Sequence, residues 1–214
     1  MDKTIRSEII RVSKIMYEKN MVNAMEGNVS IKDGGRIYIT PASVCKGYLE
    51  EDMLVVVNES GDVVEGTYKP TSEMNLHLAC YRLRPDITSV VHSHSPYATA
   101  HAIADKPIKS EAYPELMVVF DHIPVVAYGT PSTDEIHAGL GVYIDKADVL
   151  LLSRHGIVSV GRDIMDAFFK IEAAESIAKA LIFAKLLGGE VPLSGSQIDT
   201  LYQMRKKNYG KDRI

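Results

Sequence analysis

Short apolar runs rich in β-branched residues divide this chain, and they constrain its fold more than any other feature. The runs are RIYIT, MLVVV, ITSVV, LMVVF, VVAYG and VLLLS. Several are bounded by Pro, Gly or Asp, and such runs predict β-strands. Because NESG alone separates MLVVV from DVVEG, we expect at least one hairpin. A hairpin joins antiparallel strands, so the predicted sheet is mixed or antiparallel rather than wholly parallel.

Helical segments lie between these runs. The chain opens on an amphipathic helix, in which apolar residues recur at helical spacing: Ile5, Ile9, Val12 and Met16. Further helices are predicted at about 72–84, 95–104, 134–145 and 163–188. The last of them ends at Gly188-Gly189, as a helix with a glycine C-cap does. Strands and helices together predict a layered α/β or α+β domain.

We expect residues 1–214 to form one domain, since a chain of 214 residues can bury a core without disulfides or a structural metal. The two cysteines, Cys45 and Cys80, match no redox or metal motif and are interpreted as structural thiols. The last fifteen residues are polar and basic, so we expect them to form a frayed tail.

Composition excludes several kinds of partner. Lys and Arg total 24 against 28 Asp and Glu, a net charge of −4, and no basic stripe is present, so we expect no nucleic-acid partner. No segment approaches the ~18 to 20 apolar residues of a membrane helix, and we expect no membrane association. The first twenty residues lack the continuous apolar core of a secretion signal, which indicates a cytoplasmic protein.

The sequence SVVHSHSPYATAH places two histidines two residues apart at the end of a predicted strand. Side chains two apart in a strand share a face, so His92 and His94 can bind one metal ion together. His155 follows the apolar run in VLLLSRHG and can supply a third ligand at the same edge of the sheet. Many histidines are ordinary hydrogen-bonded residues, and the residues alone leave both interpretations of this trio open. Four other histidines are assigned to the ordinary class: His77, His101, His122 and His137.

The segment KPTSEMNLH, residues 69–77, opens a predicted amphipathic helix. Thr71 or Ser72 is expected to cap this helix and Glu73 to lie in its first turn. A functional interpretation is also open, because a helix N-terminus with hydroxyls binds phosphate and a carboxylate beside a metal serves as ligand or general base. Two further turns, EGNVSIKDGG and ITPAS, can add backbone amides to the same anion site.

Five segments occur together in an order and spacing that resembles the class II aldolase/adducin family: EGNVSI, ITPAS, KPTSEMNLH, VVHSHSPYATA and LLSRHGIVSVG. The resemblance extends from about residue 8 to Tyr209. It implies a three-layer α/β/α sandwich built on a mixed, largely antiparallel sheet. It also implies a homotetramer with active sites at the subunit interfaces.

The resemblance implies a role for each matching position. His92, His94 and His155 would hold one divalent metal ion per subunit, typically Zn2+ with Mn2+ or Co2+ as alternatives, and Glu73 would be the fourth ligand and the acid/base residue. Tyr113 and Tyr209 match catalytic tyrosines that reach the site from a neighbouring subunit. Six residues would bind the substrate phosphate: Gly27, Asn28, Ala42, Ser43, Thr71 and Ser72.

The implied reaction is the reversible, metal-dependent cleavage of a ketose 1-phosphate, like L-fuculose 1-phosphate, into dihydroxyacetone phosphate and a small aldehyde such as lactaldehyde. The chain departs from the family pattern at Ala42-Ser43, at Arg154 and at Pro131, and these departures bear on which aldehyde is used. The first alternative is a pentulose 5-phosphate 4-epimerase, although such enzymes have an aspartate where this chain has Met117. Weaker alternatives are a dehydratase of the methionine-salvage type and a non-enzymatic, adducin-like interaction module, which lacks the metal histidines.

Overall fold

The computed structural model describes residues 2–212 and 214, and its centre is one eight-stranded sheet. The strands are β1 (Asn28–Asp33), β2 (Arg36–Ile39), β3 (Val55–Asn58), β4 (Val63–Glu65), β5 (Ser89–Ser93), β6 (Val125–Val126), β7 (Val149–Leu152) and β8 (Gly156–Gly161). Their order across the sheet is β4-β3-β2-β1-β5-β8-β7-β6. Neighbouring strands are antiparallel except β6 and β7, which are parallel, so the predicted mixed sheet and hairpin are confirmed.

Six α-helices accompany the sheet: α1 (Asp2–Glu18), α2 (Met74–Leu83), α3 (Pro96–Ile103), α4 (Pro114–Val119), α5 (Ile164–Leu186) and α6 (Gly195–Tyr209). Short 3-10 helices cover Lys46–Tyr48, Glu51–Met53, Asp134–His137 and Leu140–Val142. Among the helices of the described chain, none has the length and apolar character needed to cross a bilayer.

Side chains along the central strands point alternately to the two faces of the sheet, and each face has its own buried core. Tyr38 and Val56 pack on one face with residues of α1, α3, α4 and α5, whereas Ile37 and Val55 pack on the other face with residues of α2. Each fully buried aliphatic side chain contributes roughly 1.5 to 3 kcal/mol relative to an exposed one. Helices therefore cover both faces, and the expected three-layer α/β/α arrangement is confirmed.

One predicted strand is wrong. The run LMVVF lies in helix α4, which begins at Pro114, a residue suited to the first helical position. Leu116, Met117 and Phe120 are buried on one side of this helix, so the run follows helical periodicity. Continuous apolar runs of this length are ambiguous between strand and helix.

Four other expectations changed. The helix predicted at 134–145 is two separate 3-10 helices, since Gly139 and Gly141 disfavour a continuous helix. The tail is not frayed before Tyr209, because Ser194 and Gln197 form a capping box that starts α6. The glycine-containing turn at EGNVSIKDGG contains strand β1, and GIVSVG forms strand β8. Only two residues of VVAYG are strand.

Candidate metal centre and adjoining cavity

The histidine pair and the third histidine meet where two central strands lie side by side. His92 is in β5 and His94 follows its last residue, whereas His155 immediately precedes β8. Strands β5 and β8 are antiparallel, with His92 opposite Val158. The end of β5 and the start of β8 therefore share one edge of the sheet, and the predicted meeting of the two strand ends is confirmed.

Glu73 completes this group from helix α2. It is the N-cap residue of the helix, which begins at Met74, so neither Thr71 nor Ser72 is the cap as expected, and Glu73 precedes the first turn. Thr71 supports it locally, since its hydroxyl oxygen accepts from the backbone N–H of Glu73 at 3.4 Å. The carboxylate of Glu73 is thereby placed at the helix N-terminus, facing the strand ends.

Distances within the group are those of a shared ion site. Nε2 of His92 lies 3.1 Å from Nε2 of His94 and 3.1 Å from Oε2 of Glu73. Nε2 of His155 lies 3.0 Å from Oε1 of Glu73, and the four ligand atoms all lie within 4.8 Å of one another. Ligand atoms of a tetrahedral zinc ion are about 3.3 Å apart, so the closest pairs already have suitable spacing.

The protons of the histidines also suit a metal ion. Nδ1 of His92 donates to the carbonyl oxygen of Ile157 at 3.0 Å, which leaves the lone pair of Nε2 directed into the group. Nδ1 of His94 faces Oε1 of Glu26 at 3.5 Å, so its Nε2 is likewise available. Oε1 of Glu73 is buried and makes no well-aligned hydrogen bond, although Nε2 of His155 lies 3.0 Å away. These donors fit a divalent cation, which would give this oxygen a partner.

Electrostatics favours the ligand forms of Glu73 and His94, whereas the Glu73 carboxylate outweighs burial and raises the pKa of His92. Burial opposes the charge of Glu73, but His92 and His155 outweigh burial and hold the pKa of this carboxyl well below its usual range. Burial, and then the neighbouring His92 and His155, lower the pKa of His94 to about 3. The group therefore combines an anionic carboxylate with a neutral imidazole near neutral pH.

Backbone geometry explains why a glycine follows the third histidine. Arg154 has a left-handed φ of 56° in the tight turn that joins β7 to β8. A Cβ atom at Gly156 would lie 2.5 Å from the carbonyl oxygen of Ser93 and 2.9 Å from the ring of His94. Glycine is therefore required for β8 to approach β5 closely enough to bring the histidines together.

A chain of buried hydrogen bonds leads away from the carboxylate. Nδ2 of Asn28 donates to Oε2 of Glu73 at 2.8 Å, and Oδ1 of Asn28 lies 2.6 Å from Nε2 of His77. On the other side of that ring, Nδ1 lies 2.6 Å from the hydroxyl of Ser30. The Ser30 hydroxyl is 2.7 Å from that of Tyr81. Strand β1 and helix α2 thus support Glu73 together.

The metal-ligand group opens into a cavity of about 370 Å³. All six predicted phosphate residues line it, and they share its wall with three members of the group: Glu73, His94 and His155. Gly27 has a φ of 71°, and a Cβ atom there would lie 2.3 Å from Val22, so glycine is required at this turn. The side-chain amide of Asn28 is already hydrogen-bonded to Glu73 and His77, whereas Ser72 is exposed at the same cavity.

Lys46 is a cavity residue that the sequence reasoning missed. Its side chain is 3% exposed, and Nζ donates to the carbonyl oxygen of Val44 at 2.7 Å. Burial lowers the pKa of this amine to about 8, and it forms no ion pair with any carboxylate in the described part of the chain. A buried cation in a polar cavity is a natural partner for an anion.

The two predicted catalytic tyrosines lie elsewhere in the same chain. Tyr113 is half-buried against the core below α4. Tyr209 is 50% exposed at the end of α6, where it lines a larger cavity of about 500 Å³ that touches Val160 and Gly161. That cavity lies at the opposite end of β5 and β8, roughly 15 Å along the strands. Several of its charged side chains pair with one another, as Arg84 does with Asp148, and the four ligand residues lie outside its lining, so we place the candidate site in the smaller cavity.

The histidines assigned to the ordinary class contribute no ligand to the group. His101 contacts the carbonyl oxygen of Lys106 at 3.3 Å, and His122 pairs with Asp121 at 3.0 Å. His77 is a hydrogen-bonded core residue, as expected, yet it contacts the partner of Glu73. Residues 73, 77 and 81 are four apart, and this spacing places them on one helix face, a signal that could have found the network.

Comparisons with known proteins agree over most of the chain. The family model described as Class II Aldolase and Adducin N-terminal domain matches residues 7–182. A Methanococcus maripaludis protein named L-fuculose phosphate aldolase is 36% identical over 173 residues, covering 81% of this chain and 93% of that protein. An Escherichia coli protein named 5-methylthioribulose-1-phosphate/5-deoxyribulose-1-phosphate aldolase is 29% identical, covering 96% of each. A solved structure named L-fuculose 1-phosphate aldolase has a TM-score of 0.86 and 28% identity, covering 96% of this chain and 97% of that one.

Proposed function

This chain belongs to the class II aldolase and adducin family, and from that premise we propose that it is a metal-dependent aldolase that reversibly cleaves a ketose 1-phosphate into dihydroxyacetone phosphate and a small aldehyde. One observation carries the proposal. Glu73, His94 and His155 lie on one wall of a cavity, with His92 buried beside them, and the other wall has hydroxyls and a buried ammonium group. Such a cavity has separate places for a carbonyl group and for a phosphate.

One divalent ion, with zinc expected and manganese or cobalt as alternatives, would be held by Glu73, His92, His94 and His155 and would polarise the substrate carbonyl. Glu73 removes a proton from the carbon beside that carbonyl in the synthetic direction and returns it in the cleavage direction. Its depressed pKa keeps it ionised, and its position at the cavity wall places it beside the bound substrate.

The phosphate end positions the substrate. Thr71 and Ser72 offer hydroxyls at the start of α2, while Ala42-Ser43 and Gly27 offer backbone groups. Lys46 adds positive charge where Ala42 supplies no hydroxyl. These contacts hold the carbon skeleton so that the acidic carbon faces Glu73, which converts a bimolecular encounter into a positioned reaction.

We also propose that residues 1–214 act as one catalytic domain and that the enzyme is a cytoplasmic homotetramer. Tyr113 and Tyr209 do not line the cavity of their own chain. In the proposed tetramer they reach the cavity of a neighbouring subunit, where a tyrosine hydroxyl protonates the aldehyde oxygen as the carbon–carbon bond forms.

A coupled assay for dihydroxyacetone phosphate tests the proposal. The substrates are L-fuculose 1-phosphate, 5-deoxyribulose 1-phosphate and 5-methylthioribulose 1-phosphate, because proteins named for these compounds are similar to this chain. We expect cleavage of at least one, loss of activity with a chelator, and recovery when zinc, manganese or cobalt is added back.

Two other outcomes would reject the aldolase. Epimerisation of a pentulose 5-phosphate without cleavage would favour the epimerase, although buried Met117 occupies the relevant position. Nearby Asp121 is already engaged by Tyr202, His122 and the backbone N–H of Ile214. Purified protein without bound metal, inactive after metal addition, would favour an interaction module.

A further inference from the structure

The hydrogen-bond chain behind Glu73 has a direction that chemistry fixes. An ionised carboxylate only accepts hydrogen bonds, so the amide of Asn28 must present its N–H to Oε2 of Glu73 at 2.8 Å. The amide oxygen then faces His77, and because it too is an acceptor, Nε2 of His77 must carry a proton. The charge on Glu73 therefore determines the tautomer of His77 through Asn28.

The same logic continues to the far end. A neutral ring with a proton on Nε2 has a lone pair on Nδ1, so the Ser30 hydroxyl donates to Nδ1 at 2.6 Å. The Ser30 oxygen then accepts from Tyr81 at 2.7 Å. The phenol of Tyr81 has a second acceptor, the carbonyl oxygen of Thr88 at 3.4 Å, but the Ser30 oxygen is nearer to it. All four donors point toward the carboxylate.

Burial keeps the chain in this state. His77 and Ser30 have no exposed surface. Burial lowers the pKa of His77 to about 3, so the ring is neutral, and burial raises the pKa of Tyr81, so the phenol keeps its proton. Buried hydrogen bonds that run in one direction polarise and strengthen one another.

We propose that His77 is a positioning residue for the catalytic base: through Asn28 it fixes the plane of the Glu73 carboxylate, with Ser30 and Tyr81 holding the ring. This inference rests on the proposed function, because it assumes that Glu73 moves the proton. The His77 side chain does not line the cavity, and its hydrogen bonds go to Asn28 and Ser30, so its effect on the Glu73 carboxylate passes through Asn28. Residues in such supporting positions typically change activity about 10- to 100-fold.

The test uses exchange of the carbon-bound proton of dihydroxyacetone phosphate with deuterated water, followed by NMR on the metal-loaded enzyme. We expect His77→Leu to lower kcat for exchange by about 10- to 100-fold with KM and metal content unchanged. His77→Gln retains a donor and an acceptor and should recover most of the rate. His101→Leu removes a buried histidine outside the network and should leave exchange unchanged.

The outcomes are distinguishable. Absence of exchange in the unaltered enzyme would reject the proposed function itself. Unaltered exchange in His77→Leu, or equal losses in His77→Leu and His77→Gln, would overturn the role of His77 alone. If His77→Leu does not fold, nitrogen NMR of the unaltered protein still decides: the Nε2–H tautomer of His77 is expected, and the Nδ1–H tautomer would overturn the proposal.

Discussion

The two ends of the candidate cavity are built differently. At the base end, Glu73 and the three histidines come from α2, β5 and the β7–β8 turn, and buried hydrogen bonds hold Glu73 and His92. At the phosphate end, Ser43 and Ser72 are exposed and sit in local turns. Buried hydrogen bonds therefore hold part of the base end in place before substrate binds, whereas the phosphate end includes exposed side chains. We expect substitutions at the first to change kcat and at the second to change KM.

The largest expected effect is at the base end. Glu73→Gln should keep the metal through the three histidines but lower proton exchange on dihydroxyacetone phosphate by roughly 10² to 10⁴-fold, because the base is gone. Exchange is measured by NMR and metal content by elemental analysis. Exchange at the original rate in this variant would contradict the role of Glu73. It would also contradict the expectation that substitutions at the base end change kcat.

The phosphate end should respond through KM. Lys46→Met removes a charge-assisted hydrogen bond, so we expect KM for the phosphorylated substrate to rise about 10- to 100-fold with kcat little changed. Lys69→Met, an exposed lysine at the rim of the same cavity, is the matched control and should have a smaller effect. Inactivation by borohydride in the presence of dihydroxyacetone phosphate would instead indicate that an amine takes part in the chemistry.

Acid should destabilise the fold through protonation of His77, which supports the base end. Its pKa is about 3 in the fold and about 6.5 in the unfolded chain. Between these values the unfolded state binds one more proton, so stability falls as pH falls. In metal-free protein, we therefore expect the free energy of unfolding of His77→Gln to fall by about 1.6 kcal/mol less than that of the unaltered chain between pH 6.5 and pH 5, as measured by urea unfolding. Equal losses would mean that His77 is not held neutral.

The smallest expected effect concerns a residue outside both ends. Tyr209→Phe should lower turnover by about tenfold or less, or change the stereochemistry of the product, with metal content unchanged. The measurement is aldol synthesis with product analysis, next to light scattering for the oligomeric state. If neither the rate nor the stereochemistry changes, the end of α6 has a purely structural role.

Local patterns in the sequence predicted the site better than the sheet. The period of two placed His92 and His94 on one face, and strand ends placed His155 near them. Residues that meet only because strands pair in the sheet carry no such local signal. Ser30 is an example, because its segment is interpreted from the sequence as a turn, whereas it lies in β1, which pairs with β5. The run LMVVF shows the same limit, since packing against α6 and the core decides its conformation.

Lys46 illustrates a second limit. A lysine in a turn is ordinarily exposed, and nothing in the spacing of ITPASVCKG indicates that its side chain turns inward. Lys46 lines its cavity together with Lys69 and Thr71, and the loop at Lys69–Thr71 hydrogen-bonds to Thr40 and Ala42. A single sequence does not reveal such a contact between distant loops.

The antiparallel register of β5 and β8 has a consequence for refolding. A slip of one residue would turn His92 to the opposite face of the sheet, and Val91 would then point toward Glu73. Such a chain could be compact and helical and still fail to take up a divalent ion. Metal uptake therefore discriminates a correctly registered molecule from a misfolded one, and a stopped-flow metal indicator can follow the final step of assembly.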